Sequence, residues 1–289
     1  MPVPEIFKRL SKVVTSISAV ALSGCSAAGL LNSITPSSSF DRDKGLFYGS
    51  EDRQTYDVYR SSNPKADAPV IVFVYGGGWT DGQKSMYKFL AEGFTKDGYD
   101  VVVPDYRLHP QSQYPMMVTD TGLAVRAAGE LYPGRPLVLV GHSAGAYNVL
   151  MTAMAPEISK IDVCERVAGV ISLAGPTGAY PLTEEPYITI FPERFQADDN
   201  PIGRVGAPLP PIMLVNGADD STVGQKNATE LGAKLREAGQ TVDVKIYEGM
   251  NHIDPVRVLS RHFDGGSPLK KDITTFIDGL AQDRPFCLG

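Results

Sequence analysis

Leu137-Val138-Leu139-Val140-Gly141-His142-Ser143-Ala144-Gly145 is the stretch on which the fold turns, an apolar branched run that ends in a G-x-S-x-G pattern. Pro136–Val140 has the length and side-chain branching of a strand buried on both faces, and the small residues ahead of Asn148–Met154 suit a helix start. Strand, tight turn and helix together form the setting in which a serine is held with its hydroxyl exposed at the carboxyl edge of a parallel sheet. Side chains flanking that serine would collide with the strand or the helix, so the glycines answer a steric need. The competing reading is a glycine-rich turn with a capping serine. The nucleophile reading demands more of the chain: a base, an acid and donors for an oxyanion.

Outward from this stretch, strands and helices alternate. Pro69–Tyr75 is an unbroken apolar run, and Gly45–Tyr59 reads as shorter edge strands. Lys84–Lys96 and Val118–Leu131 predict helices on either side of a strand at Asp100–Val103. Further strands are expected at Ala168–Leu173, Pro211–Val215 and Val242–Tyr247, with helices at Gln225–Ala238 and Lys270–Ala281. Repeated β-then-α order implies an α/β fold with a doubly wound, mostly parallel sheet and its active residues at the carboxyl end. One irregular stretch, 178–210, is too long for a routine connection and is expected to form a small cap.

A serine hydroxyl is a poor nucleophile at neutral pH and needs a base oriented by a third group. Of the four histidines, His252 follows the late strand Val242–Tyr247 by a short loop, which puts it at the sheet's carboxyl edge and makes it the candidate base. His142 sits inside the elbow, is read as pointing away from the serine's reacting side, and is assigned with Trp79 to the candidate substrate pocket. His109 follows an earlier strand and His262 lies in a helix-like or loop segment. The acid should come from the loop after Pro211–Val215, where Asp219 and Asp220 compete. Tyr75-Gly76-Gly77-Gly78-Trp79 follows a buried strand with no phosphate-loop Lys-Ser/Thr pair, so its amides suit an oxyanion and not a nucleotide. Gly77 and Gly78, with Ala144 after the nucleophile, are the expected donors.

The amino terminus carries Lys8, Arg9 and Lys12 ahead of an apolar stretch, Val13 to Leu22, and then Leu22-Ser23-Gly24-Cys25. The stretch is too short to span a bilayer. Small residues before a cysteine resemble a lipobox, so residues 1–24 read as a lipoprotein signal peptide, Cys25 as the lipidation site and 25–44 as a flexible tether. An ordinary secretory signal, or an amphipathic membrane-bound helix, is the simpler alternative. The lipoprotein reading places the hydrolase-like domain, 45–289, in a bacterial cell envelope on a lipid anchor, with Ser26 after the cysteine leaning toward the outer membrane of a Gram-negative cell. Net charge is −6 for the whole chain, and residues 1–24 hold Glu5 against three cations, so the remaining 265 residues carry −8. That acidity argues against nucleic acid partners. Cys164 and Cys287 lack metal-ligand spacing and stand either as a disulfide or as two separate thiols.

Together these residues resemble the α/β-hydrolase superfamily, within it the carboxylesterase branch that includes hormone-sensitive-lipase-like and BD-FAE-like proteins, over roughly residues 57–277. Tyr75–Trp79 is similar to that branch's H-G-G-G-W, and Asp105-Tyr106-Arg107-Leu108-His109-Pro110 to its D-Y-R-L-A-P. Two departures stand out, Tyr75 in place of His and His109 in place of Ala. The resemblance implies the order Ser143, Asp220, His252, with Asp220 chosen over Asp219 by the family's G-x-x-D-x-x-V spacing and Asp219 left to cap the following turn. It implies a bracing role for Asp105–Arg107. It also implies a serine esterase for short to medium esters, a small-molecule substrate, and neither cofactor nor metal. An arylformamidase or other amidase would use the same triad, and a ligand-binding lipoprotein on a non-catalytic scaffold is the third possibility.

Overall fold

In a computed structural model, residues 29–178, 184–192, 199–206, 208–263 and 266–280 are described. Eight strands form one sheet in the order β1-β2-β4-β3-β5-β6-β7-β8. They are β1 Phe40–Phe47, β2 Thr55–Ser61, β3 Val70–Val74, β4 Val101–Pro104, β5 Leu137–His142, β6 Val167–Leu173, β7 Ile212–Gly217 and β8 Val242–Tyr247. β2 runs antiparallel to β1 and β4, and every pairing from β4 onward is parallel. The doubly wound sheet expected from the sequence is therefore present, with the long branched runs of β3 and β5 paired at its centre and fully buried.

β2 is not an edge strand as expected. It lies inside the sheet and is almost wholly buried, while β1 takes the edge. The helices that cover the sheet are α2 Lys88–Thr95, α3 Met116–Leu131, α4 Ala144–Met154, α8 Lys226–Glu237 and α10 Pro268–Leu280. The helix expected over Lys84–Lys96 divides into a 3-10 turn, Lys84–Tyr87, followed by α2. Short helices the sequence did not signal are α5 Pro156–Ser159, α6 Val163–Arg166, α7 Tyr187–Ile190 and α9 Asp254–Arg257.

Part of the stretch expected to be a flexible tether, 25–44, is instead packed on the domain. Residues 29–34 form a helix, α1, and β1 begins at Phe40. The Asn32 side chain donates to the Ser85 carbonyl at 2.8 Å and accepts from the Phe89 amide at 3.0 Å, which fixes α1 against the start of α2. Lys88 Nζ donates to the Thr35 carbonyl, Thr35 is buried, and Phe40 enters the core against Tyr59. A side-chain amide satisfying two backbone groups across more than fifty residues is invisible to a reading based on composition. Residues 1–24, Cys25 and Cys287 lie outside the described residues. No helix of the described residues is long and apolar enough to cross a membrane.

Candidate active site

Ser143 lies between the end of β5 and the start of α4, with φ 53° and ψ −120°. Such a backbone is costly for a residue with a side chain and persists where its surroundings dictate it. Those surroundings are tight. A Cβ on Gly145 would stand 2.1 Å from the Val74 carbonyl oxygen, and one on Gly141 would stand 2.3 Å from the Gly145 carbonyl oxygen. The two flanking glycines thus let α4 descend directly onto β3 and β5, and the Ser143 amide is tied to the Leu173 carbonyl of β6 at 2.9 Å.

The three residues expected from the sequence meet in one hydrogen-bonded line. Ser143 Oγ is 2.9 Å from His252 Nε2, and His252 Nδ1 is 2.8 Å from Asp220 Oδ2. Asp220 is buried, and its other oxygen accepts the amides of Thr222 at 2.9 Å and Val223 at 2.8 Å. Burial works against ionisation of this carboxyl. The hydrogen bonds from His252, Val223 and Thr222 outweigh it, so its pKa lies below the ordinary carboxylate value. Asp219 is exposed and does not play the capping part expected of it, since the loop's amides are taken by Asp220.

His142 is a correction. Its placement in the substrate pocket does not hold, because the side chain is buried behind the base and its Nε2 meets the His252 carbonyl at 2.9 Å. Burial, and next the neighbouring His252, push its pKa down to about 3, so the ring is neutral and donates to that carbonyl. The elbow's own geometry sends this side chain away from the cavity. A folded-state pKa below the unfolded value of about 6.5 means that the unfolded chain binds the extra proton between those two pH values. Stability from this group is present above pH 6.5 and falls as pH drops toward 3, by up to about 1.4 kcal/mol per pH unit. In His142→Gln, urea midpoints measured between pH 6.5 and 4 should fall less steeply, by about one proton's worth of slope.

Of the oxyanion candidates, Gly78 and Ala144 join Trp79 and Ser143 in lining a cavity of about 480 Å³. Among the described residues, the amides of Gly77, Gly78 and Ala144 have no acceptor. The Ala144 amide is free because it opens α4. Gly77 and Gly78 have φ of 121° and 58°, and the Gly77 carbonyl accepts the amides of Thr80 and Asp81, closing the turn.

Tyr75 stands where the resembled family carries His, and the structure supplies another way of fixing the glycine loop. The Tyr75 hydroxyl donates to Asp105 Oδ1 at 2.7 Å and accepts from Arg53 at 2.9 Å. Arg53 also donates to the Gly82 carbonyl, and Lys84 donates to Asp105 through both its amide and its Nζ. Burial first, and the Asp105 carboxylate next, raise the Tyr75 pKa well above its usual value, so the phenol remains a donor. Asp105 therefore braces the glycine loop, and Arg107 pairs with the buried Asp120. Tyr75→Phe should cost about 1 to 2 kcal/mol of stability by leaving buried partners unmet. Its kcat should fall about three- to tenfold with little change in KM, as read from thermal melts and ester kinetics.

Trp79, assigned to the pocket from the sequence, lines the cavity, whereas the aromatic residues around it carried no sequence signal. Trp79 is held by its indole N–H to the buried Asn148 Oδ1 at 2.9 Å and packs edge-on against Tyr147, Tyr187 and Phe191. Tyr187 and Phe191 come from the described part of the expected cap, and the Tyr147 hydroxyl donates to the Asp199 carbonyl at 2.6 Å. Residues 179–183, 193–198 and 207 of that stretch lie outside the described residues.

Sheet order, elbow and the position of the acid and base loops define an α/β-hydrolase fold. The BD-FAE family model matches residues 56–235, and the chain belongs to that family. Isoprenylcysteine alpha-carbonyl methylesterase ICME of Arabidopsis thaliana is 26% identical over 276 residues, covering 83% of this chain and 64% of that protein. Kynurenine formamidase of Danio rerio is 25% identical over 236 residues, 78% of each chain. The chain spans less than two thirds of the length of the plant methylesterases it matches, 64% and 58% of two of them. Among solved structures, esterase B from Lactobacillus Rhamnosis superposes with a TM-score of 0.77 at 18% identity, covering 94% of this chain and 95% of that one. At that identity the likeness speaks to the fold.

Proposed function

We propose that this chain is a serine carboxylic-ester hydrolase for short- to medium-chain esters. The observation that carries the proposal is the unbroken line Ser143 Oγ to His252 Nε2 to Asp220, opening on a cavity that also holds unpaired amides. In this scheme Ser143 Oγ attacks the ester carbonyl as its proton passes to His252 Nε2. Asp220 keeps the imidazole in the required tautomer and stabilises the imidazolium. Negative charge forming on the carbonyl oxygen is met by the Gly77, Gly78 and Ala144 amides, each worth about 3 to 4 kcal/mol in reactions of this kind. His252 then returns the proton to the departing alcohol, leaving an acyl-Ser143 ester. Water, deprotonated by the same imidazole, releases the acid and restores the hydroxyl.

A formamidase is the second reading, favoured by the similarity to kynurenine formamidase over 78% of both chains. Hydrolysis of p-nitrophenyl acetate, butyrate and decanoate, set beside an aryl formamide, separates the two. The ester reading expects turnover of acetate and butyrate above decanoate and above the formamide. A formamide preferred by tenfold or more in kcat/KM would replace it, and no turnover of any of them would favour a non-catalytic binding protein. The lipid anchor at Cys25, with the catalytic domain on the envelope side of a bacterial membrane, is part of the same proposal. Cys25→Ala should release the protein from the membrane fraction, and retention of that variant would contradict the anchor.

A further inference from the structure

The cavity is lined by polar residues as well as aromatic ones. Asp199, Asn200, Thr222, Lys226 and Asn227 line it together with Trp79, Tyr187 and Phe191. Most of these polar groups are engaged within the protein. The Asp199 carboxylate is paired with the Arg204 guanidinium, which also holds Glu157. The Asn200 side chain accepts the Gly203 amide, and the Asn227 side chain accepts the Thr177 amide while donating to the Gly224 carbonyl. Lys226 differs from them. It is exposed, and among the described residues it is the charged lining side chain with no ion pair. Glu230, one turn along the same helix, makes no ion pair with it.

Lys226 also opens α8, whose N-cap residue Gln225 offers no side-chain hydrogen bond to the first turn. The positive end of that helix and the lysine's charge therefore belong to one residue position on the cavity's lining. A chain of net charge −6 repels anions at long range, so a preference for an anion would have to arise locally, as here. A cavity of 480 Å³ is about 10 Å across if taken as a sphere, and both Ser143 and Lys226 line it.

Resting on the esterase reading above, we infer that Lys226 forms an anion subsite. The substrate is then an ester with a carboxylate, or a similar anion, several bonds from the scissile carbonyl. The ammonium group pairs with that anion while the uncharged ester function lies over Ser143. Lys226 is a binding residue in this scheme and takes no part in proton transfer.

The test uses two matched pairs and the full-length protein. On the alcohol side, 4-acetoxybenzoate is set against 4-acetoxybenzamide, and on the acyl side monomethyl adipate against its monoamide. An ion pair at a partly exposed site is worth up to about 1 kcal/mol, or about fivefold in KM. At least one pair should favour the anion by about that factor at low salt. Lys226→Met should bring that ratio to about one, Lys226→Glu should take it below one, and 0.5 M NaCl should compress it. A ratio near one in the wild-type protein for both pairs, or a ratio unmoved in Lys226→Met, overturns the subsite. Binding of 4-hydroxybenzoate and 4-hydroxybenzamide to the Ser143→Ala protein, by calorimetry, reads the subsite without any turnover. Tighter binding of the carboxylate that Lys226→Met abolishes upholds the subsite even if the esterase reading fails, and equal binding rejects it even if esters are hydrolysed.

Discussion

Ser143→Ala is expected to lower kcat on p-nitrophenyl butyrate by about 10⁵- to 10⁶-fold and to leave KM within a few fold. The size of the loss follows from the roles assigned to the serine and its base. Without Oγ no acyl-enzyme forms, and His252 has no proton to accept from a nucleophile. What remains is the effect of the oxyanion amides and of binding, about 10³- to 10⁴-fold over water in hydrolases of this kind. His252→Ala should fall to the same level, and the double variant should be no slower than either single one, because the two groups act as a unit. Initial rates with active-site-depleted controls measure this. An additive double variant would contradict the coupling that the 2.9 Å contact between Ser143 Oγ and His252 Nε2 implies.

Asp220→Asn is expected to lower kcat by about 10⁴-fold, with the fold intact, whereas Asp219→Asn should change it by less than about twofold. An amide at 220 still accepts the Thr222 and Val223 amides through its oxygen, so the loop keeps its shape. Its nitrogen would then face His252 Nδ1 as a donor, which favours the wrong tautomer of the base. Asp219 is exposed and faces no catalytic atom. The pH dependence of stability carries the matching sign. The depressed pKa of Asp220 means that its stabilising contribution is present above the unfolded carboxylate value and is lost as pH falls through the lower folded value. The reverse ranking of the two asparagine variants, in kcat, would move the acid to Asp219.

What the sequence disclosed was local. Branched apolar runs name β3 and β5 because a parallel strand buried on both faces has few alternatives. The elbow is legible because its two glycines and serine are constrained by the same close approach of α4 to β3 that the structure displays. His252 could be reached because it follows a recognisable strand by a short loop; the same rule reached the acid loop, and the resembled family's spacing chose Asp220 there over Asp219. The rest depended on contacts between segments far apart in the chain. Asn32 ties α1 to α2, which no composition rule separates from a tether. His142 is read from the sequence both as pointing away from the serine's reacting side and as part of the pocket; the buried contact of its Nε2 with the His252 carbonyl agrees with the first and rules out the second, and that contact joins residues 110 positions apart. Arg53 and Lys84 join Tyr75 and Asp105 in holding the glycine loop, although each of those two cations alone reads as an ordinary surface residue.

Ser143's role as nucleophile is read most plainly by treating the folded protein with a fluorophosphonate and mapping the adduct by peptide mass. Rapid, stoichiometric phosphonylation is expected on Ser143, lost on unfolding and slowed strongly in His252→Ala. No adduct on Ser143 in protein whose melt is cooperative, or an adduct on another residue at the same rate, would contradict it.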